Sequence, residues 1–132
     1  MIRRSAPLLV TSLMLGVTVA VAPPAAADVG WIAVAKSASH EALDWGGGPG
    51  YSQAHAEIAA LRLCAQMQPA GDCYVVASGP SCAAVAWDVA EPLNNAYGAT
   101  GLTPAAALSA AEAAAGPFAN DPEVRCSYLN RG

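Results

Sequence analysis

Two histidines, His40 and His55, are the side chains best suited to acid-base chemistry near neutral pH. His40 stands beside Glu41 and close to Asp44, which makes these three residues the candidate cluster of a small hydrolase-like enzyme. Adjacent residues of an extended strand point to opposite faces, so the neighbours cannot converge if this segment is extended. We therefore expect a solvated turn between two strands here, and an exposed helical position for His55.

Asp44, Asp88 and Glu91 are candidate acids for glycoside hydrolysis, which needs two carboxyl groups facing one cleft. Two of them adjoin the tryptophans Trp45 and Trp87, and an aromatic ring beside an acid is common in sugar-binding clefts. These tryptophan–acid pairs do not occupy matching positions of the internal repeat described below. Tryptophan in a domain with one phenylalanine is also more often a core residue. We therefore predict no catalytic residues from these patterns.

The glycine-rich segment 46–50 has some features of a phosphate-binding loop. Such a loop needs a Lys-Ser or Lys-Thr pair after the glycines, but none follows here, and Pro49 has no backbone N–H to donate. We interpret the segment as a flexible loop between two elements. No pair of cysteines has the short spacing of a zinc site, so we expect no metal and no other cofactor.

The four cysteines favour a disulfide framework in an exported domain. Four cysteines allow three pairings, of which we favour Cys64–Cys73 and Cys82–Cys126. The first pairing closes a short loop between a helix end and the next strand, and the second ties the middle of the chain to its C-terminal part. The loop-entropy model gives about 3 kcal/mol for the first disulfide and about 4 kcal/mol for the second.

The N-terminal residues 1–27 have the features of a secretory signal peptide. A pair of arginines precedes an apolar stretch over 7–22, and the small residues Ala25 and Ala27 form a cleavage site. We expect Sec-dependent export and cleavage, which leaves a single domain, 28–132, in the medium or the cell envelope without a membrane span. Cleavage removes two of the six basic residues and none of the ten acids, so this domain has a net charge of −6. An acidic chain repels phosphate groups, which argues against nucleic-acid partners.

An internal repeat with an offset of 51 residues divides this domain into two halves. The sequence GWIAVA at 30–35 matches SCAAVA at 81–86. Cys73 and its two successors also match Cys126 and its successors, after a slip of two residues in the preceding loop. Each half is predicted to contain two strands, a helix and a third strand, in this order. The strands are predicted over 31–35, 42–45 and 74–77 in the first half, and over 83–87, about 95–99 and 125–129 in the second.

The two predicted helices are rich in alanine and have clear end signals. Ser52 caps the first helix, which reaches Cys64. Thr103 caps the second, Pro104 takes its first position, and Gly116 ends it. Small side chains should let both helices lie close to the sheet. On the first helix the predicted apolar stripe comprises Ala54, Ile58, Leu61 and Ala65. The predicted solvent-exposed face comprises His55, Arg62 and Gln66.

The order of these motifs resembles the family known as domain of unknown function 4189, a group of small exported bacterial proteins. The motifs are a W-x-A-V-A strand at 31–35, an alanine-rich helix ending in Cys64, a C-x-V-V strand at 73–76 and a C-A-A-x-A strand at 82–86. The resemblance covers the whole mature domain and implies its fold and export, but no activity. Where the second helix would end in cysteine, this chain has Ala115, which leaves Cys126 free to pair with Cys82.

We therefore predict an α+β domain with two ββαβ repeats, at about 30–80 and 81–132. Its sheet is mostly antiparallel, with the two helices packed on one face, and disulfides staple it. The favoured function is a monomeric, non-enzymatic binding or structural module, whose partner is an unknown protein or envelope component. The alternative is a small secreted hydrolase-like enzyme, or a protein inhibitor that presents the loop 46–50 or 88–95. A ligand pocket between the halves would be lined by Trp31, Trp45 and Trp87.

Overall fold

The computed structural model describes residues 29–90 and 95–129, so the predicted signal peptide lies outside the described residues. Two ββαβ units follow each other along the chain, which confirms the predicted α+β class and element order. Neither helix of the described residues is long and apolar enough to cross a membrane. The elements are β1 (Trp31–Ser37), β2 (Leu43–Gly48), α1 (Gln53–Met67), β3 (Cys73–Pro80), β4 (Cys82–Asp88), β5 (Ala96–Gly101), α2 (Pro104–Ala115) and β6 (Ala119–Cys126), with a 3₁₀ turn over Ser127–Leu129.

The six strands are divided between two antiparallel sheets, a division that the sequence pattern did not specify. The first sheet has the order β2-β1-β3 and the second the order β5-β4-β6, so β1 and β4 are the central strands. Side chains along each central strand alternate between that half's helix and the other sheet. The two sheets thus pack face to face, and each helix covers the outer face of its own sheet. The buried core between the sheets comprises Ile32, Val34, Trp45, Ala83 and Val85.

Most elements repeat at the offset of 51 that the sequence predicts. Strands β1 and β4 correspond at this offset. The buried residues of the helices correspond at the same offset, because Ala56 and Ala60 of α1 match Ala107 and Ala111 of α2. Both helix caps form as predicted: the Ser52 hydroxyl accepts from the His55 amide at 3.2 Å, and the Thr103 hydroxyl accepts from the Ala106 amide at 3.1 Å.

The predicted apolar stripe of α1 was wrong. Ala54, Ile58 and Ala65 are exposed, and Leu61 is only partly buried, at the margin of the core. The buried stripe comprises Ala56, Ala60 and Cys64. The reason is close packing on β2, because a Cβ atom on Gly46 would lie only 2.4 Å from the backbone nitrogen of Ala60. Only very small side chains fit between surfaces at that distance, so the larger apolar residues lie outside the contact between helix and strand. The predicted exposed residues His55, Arg62 and Gln66 are exposed.

The interpretation of 46–50 as a flexible loop was also wrong for its first three residues. Gly46–Gly48 complete β2 and are buried, paired with the first residues of β1, and only Pro49 and Gly50 form an exposed turn. Glycine fits here because the strand lies against α1 on one side and adopts a φ of +120° at Gly47. An exposed inhibitory loop at 46–50 is therefore excluded for these three residues. The other candidate loop, 88–95, lies in part outside the described residues.

The last strand lies earlier than predicted. Strand β6 spans Ala119–Cys126, and the residues that follow form the 3₁₀ turn. The strand pairings match Cys73 with Ala119 in the repeat, so the predicted correspondence of Cys73 with Cys126 was wrong. The strand was not predicted here because Pro122 argues against one: within sheets, proline is tolerated only on edge strands or at bulges. β6 is an edge strand, and its pairing with β4 is irregular in this region.

Both favoured disulfide pairings are confirmed. Cys64, near the end of α1, is bonded to Cys73, the first residue of β3. Cys82 and Cys126 are directly opposite each other on β4 and β6 and form the second disulfide. Disulfides of this kind persist in an oxidising, extracellular-type environment.

The two sheets make different contacts at their two edges. Along β3 and β5 they are very close, since a Cβ atom on Gly98 would lie 2.6 Å from the carbonyl oxygen of Val76. Along β2 and β6 the space is filled by Trp45 and by Arg125, whose guanidinium lies 5.4 Å from the Trp45 ring centroid. Large side chains therefore lie between the sheets on this edge, which is also where the cavity described below is found.

Candidate functional site

A fully buried lysine lies at the end of the core between the two sheets. Lys36 is the only lysine in the chain, and its ammonium lies 5.9 Å from the ring centroids of both Tyr74 and Trp87. The ammonium also donates to the Ser37 carbonyl at 2.7 Å. Because Lys36 and Trp87 differ by the repeat offset of 51, the two halves place a cation and an aromatic ring at equivalent positions, where they meet.

Burial lowers the pKa of Lys36, while the carboxylates of Asp72 and Glu41 act in the opposite direction. A buried ammonium without compensation would be costly. Here the two aromatic rings and the hydrogen bond to the Ser37 carbonyl provide part of that compensation.

A polar cluster adjoins Lys36 at the turn between β1 and β2. The Ser37 hydroxyl donates to one carboxylate oxygen of Asp72, and the Ser39 hydroxyl donates to the other at 2.7 Å. These hydrogen bonds hold the pKa of Asp72 below its ordinary value. The Nδ1 atom of His40 lies 3.2 Å from the Ser37 hydroxyl oxygen and 3.3 Å from that of Ser39.

The structure brings His40 to serines rather than to Glu41 or Asp44, the acids expected beside it. The segment forms the predicted turn, so it is not extended, and its side chains curl back toward the end of β1. The order of contacts differs from a Ser-His-Asp triad, in which the carboxylate orients the histidine and the histidine takes the serine proton. Here the Asp72 carboxylate accepts from the serines themselves, and His40 is exposed to solvent.

An open cavity of about 400 Å³ lies between the β1–β2 turn and the second sheet, and we call it the inter-sheet cavity. Trp87 forms one wall, and three carboxylates lie around it, from Glu41 of the first half and from Asp121 and Glu123 of β6. Asn95, Asn120 and Val89 complete the lining. The cavity therefore combines an aromatic wall with an acidic, amide-rich rim that belongs to both halves of the repeat.

The three tryptophans proposed to line a pocket lie in different places. Trp87 packs on the core between the sheets and lines the inter-sheet cavity. Trp45 is almost completely buried in the same core, and its edge borders a smaller groove beside α1 with Tyr51 and Arg62. Trp31 lies on the opposite face of the first sheet, against the helix. The structure thus brings only Trp87 to the cavity between the halves.

Asp44 and Asp88, the two described acids proposed for glycoside chemistry, do not share a cleft. Asp44 is opposite Ala35 on the face of the first sheet that α1 covers. Asp88 lies at the end of β4, where its carboxylate accepts from the Ala90 amide at 2.9 Å. Glu91 lies outside the described residues. Among the described residues, no three side chains of His, Cys, Asp or Glu are grouped closely enough to hold a metal ion.

Asp44 is buried, one of its carboxylate oxygens has no hydrogen-bond partner among the described residues, and burial raises its pKa. As the pH rises above the ordinary pKa of 3.8, the unfolded chain releases this proton while the folded protein still holds it. The folded state therefore loses stability as the pH rises toward the higher pKa that Asp44 has in the folded protein. We expect Asp44→Asn to raise the free energy of unfolding by about 1 kcal/mol at pH 7, and this gain to vanish below about pH 4. Urea denaturation at several pH values measures it.

The matched control for Asp44→Asn is Glu112→Gln, at an exposed position of α2. It should leave the stability unchanged at every pH. A constant difference between Asp44→Asn and the wild type from pH 3 to pH 8 would contradict the assignment of this pH dependence to Asp44.

Comparison of the chain with family models, with curated proteins and with solved structures gives no match. The resemblance to the domain of unknown function 4189 family therefore stays a prediction.

The site rests on the chain's own geometry, and sequence reasoning missed several of its residues. Lys36 had a signal, since it is the one lysine of the chain and continues the apolar alternation of Ile32 and Val34. Asp72 and the acids of β6 had none, because only the tertiary fold brings them to the β1–β2 turn.

Proposed function

We propose that this chain is an exported, non-enzymatic binding domain of the cell envelope or medium, and that the inter-sheet cavity is its binding site. One observation carries the proposal: a cavity of about 400 Å³ has one aromatic wall, Trp87, and polar groups that converge from both halves of the repeat. Binding sites for small molecules and side chains combine an aromatic surface with a few placed polar groups in this way.

The surroundings of the cavity support a binding role. Trp87 is anchored in the core between the sheets, and Glu123 and Asn120 belong to β6, which the Cys82–Cys126 disulfide ties to β4. Side chains on anchored strands lose less freedom when a ligand binds than side chains on mobile loops do. The two disulfides support an extracellular role, because they persist in an oxidising compartment.

The test is a binding screen with the oxidised protein recovered after export from an expression host. Thermal unfolding is followed with three classes of compound: organic amines, neutral oligosaccharides and dicarboxylates. A ligand present at one hundred times its Kd raises the melting temperature of a domain of this size by about 10 °C. We expect at least one class to give such a shift.

A cavity-blocking variant shows whether the ligand uses this site. Asn120→Trp places a large side chain at an exposed cavity position and should abolish the shift, whereas Ala113→Trp, at an exposed position of α2, should keep it. The proposal fails if no class shifts the melting temperature, or if the shift survives in Asn120→Trp.

A further inference from the structure

The lining of the inter-sheet cavity has a strong excess of negative charge. Glu41, Asp121 and Glu123 contribute three carboxylates, and all three residues are exposed. In the part of the chain that the structure describes, no lysine or arginine lines the cavity. The nearest ammonium, that of Lys36, is fully buried beside the Trp87 ring. A ligand that enters the cavity therefore meets the negative carboxylates before it meets any positive charge.

The Trp87 ring already holds one cation. The Lys36 ammonium lies 5.9 Å from its centroid, within the range in which the negative face of an indole attracts a positive charge. The same ring forms the wall of the cavity, so a positive group in the cavity can reach it as well. A neutral sugar would also stack on the ring but would leave three carboxylates without a charged partner. An anion would be repelled by them.

The dimensions favour an extended cation over a compact one. The described acids are not grouped closely enough to share a metal ion, and the cavity is much larger than a single ion. Its rim also has an apolar part, because Val89 lines it and the Val89 amide donates at 3.2 Å to the carbonyl of Phe118. Both side chains are 58% exposed. Separated negative charges with apolar surface beside them match positive groups joined by a methylene spacer.

We infer that the inter-sheet cavity binds an organic cation with at least two ammonium or guanidinium groups joined by an apolar spacer. The inference rests on the proposed function and names the ligand class for the same site. Two sources share this chemistry: a free di- or polyamine, and neighbouring lysine or arginine side chains in a basic segment of another protein.

Isothermal titration of the oxidised, exported protein tests the inference with matched probes. The cationic probes are 1,5-diaminopentane, spermidine and a blocked Lys-Leu-Lys peptide. The controls are 1,5-pentanediol, glutarate and the same peptide with both lysines acetylated. We expect binding of cationic probes only, weakening as the salt concentration rises because salt screens exposed charges. Binding of the amines without the peptide identifies a small-molecule site, and binding of the peptide without the amines identifies a protein partner.

Isosteric variants locate the bound cation. Asp121→Asn and Glu123→Gln should each weaken binding of the cationic probe about fivefold, as expected for one exposed ion pair. Trp87→Leu should weaken it about tenfold through loss of the aromatic wall. Glu112→Gln, which removes a carboxylate outside the cavity, should leave the affinity unchanged. Because Trp87 also packs on the core, the two carboxylate variants keep the test independent of folding.

Two results would overturn the inference while the proposed function stands. One is binding of pentanediol or glutarate as tight as that of the diamine, abolished by Asn120→Trp. The other is binding of a cation that Asp121→Asn and Glu123→Gln weaken no more than Glu112→Gln does. If no compound of any class binds, the proposed function fails, and the inference fails with it.

Discussion

Replacing Cys82 and Cys126 together by alanine is expected to lower the free energy of unfolding by about 4 kcal/mol. This disulfide joins the first residue of β4 to the last residue of β6, a sequence separation of 44 that encloses β5 and α2. Closing so long a loop removes much of the entropy of the unfolded chain. Since small domains have a stability of about 5–15 kcal/mol, the loss is a large part of the total. Urea denaturation of the oxidised wild type and of the double variant measures it.

The other disulfide provides the matched comparison. Cys64 and Cys73 are separated by 9 residues, so the loop model gives about 3 kcal/mol for Cys64→Ala with Cys73→Ala. The Cys82–Cys126 variant should therefore be the less stable of the two. It should also lose ligand binding more readily than the Cys64–Cys73 variant, because β6 carries two of the cavity acids. Equal or reversed losses would show that loop length does not determine the contribution of these disulfides.

Features set by local chemistry were predictable from the sequence. The helix caps Ser52 and Thr103, the proline at the first position of α2 and the ββαβ order all depend on a few neighbouring residues. The pairing Cys64–Cys73 follows from a short loop between consecutive elements. In each of these cases the determining residues are close in sequence, so their pattern is sufficient.

Features set by distant contacts were not predictable. The buried face of α1 is decided by Gly46, whose missing side chain lets the helix backbone lie directly on the strand. Viewed alone, the helix offers Ile58 and Leu61 as a more apolar face. Likewise, the glycines at 46–48 have the composition of a loop, and only the pairing with β1 makes them a strand.

The candidate site illustrates the same limit. Trp87 was identified from its residue type, but Lys36 owes its importance to complete burial between two sheets that the sequence pattern did not separate. The acids Asp121 and Glu123 lie on a strand that was not predicted at this position, because Pro122 argues against a strand there. A site assembled from a turn in one half and an edge strand in the other has no local sequence signature.

Substituting Gly46 by alanine is expected to lower the free energy of unfolding by about 3 kcal/mol, at the upper end of what overpacking costs. The added methyl carbon would lie 2.4 Å from the Ala60 nitrogen and 2.8 Å from the Ala59 carbonyl carbon. Both atoms belong to the backbone of α1, so no side-chain rotation relieves the clash and the whole helix must move from the sheet. Urea denaturation of Gly46→Ala against the wild type measures the loss.

The matched control is Gly50→Ala, four residues further along, where a Cβ atom meets nothing within 4 Å. Its φ of +80° still makes alanine unfavourable, by about 1 kcal/mol. The second half provides another test, because a Cβ atom on Gly101 of β5 would lie 2.7 Å from the backbone nitrogen of Ala107 in α2. If Gly46→Ala and Gly101→Ala both lose much more stability than Gly50→Ala, direct contact between helix backbone and strand holds both halves together. A loss at Gly46 no greater than at Gly50 would mean that α1 can shift at little cost, and that its small-residue face is not required for packing.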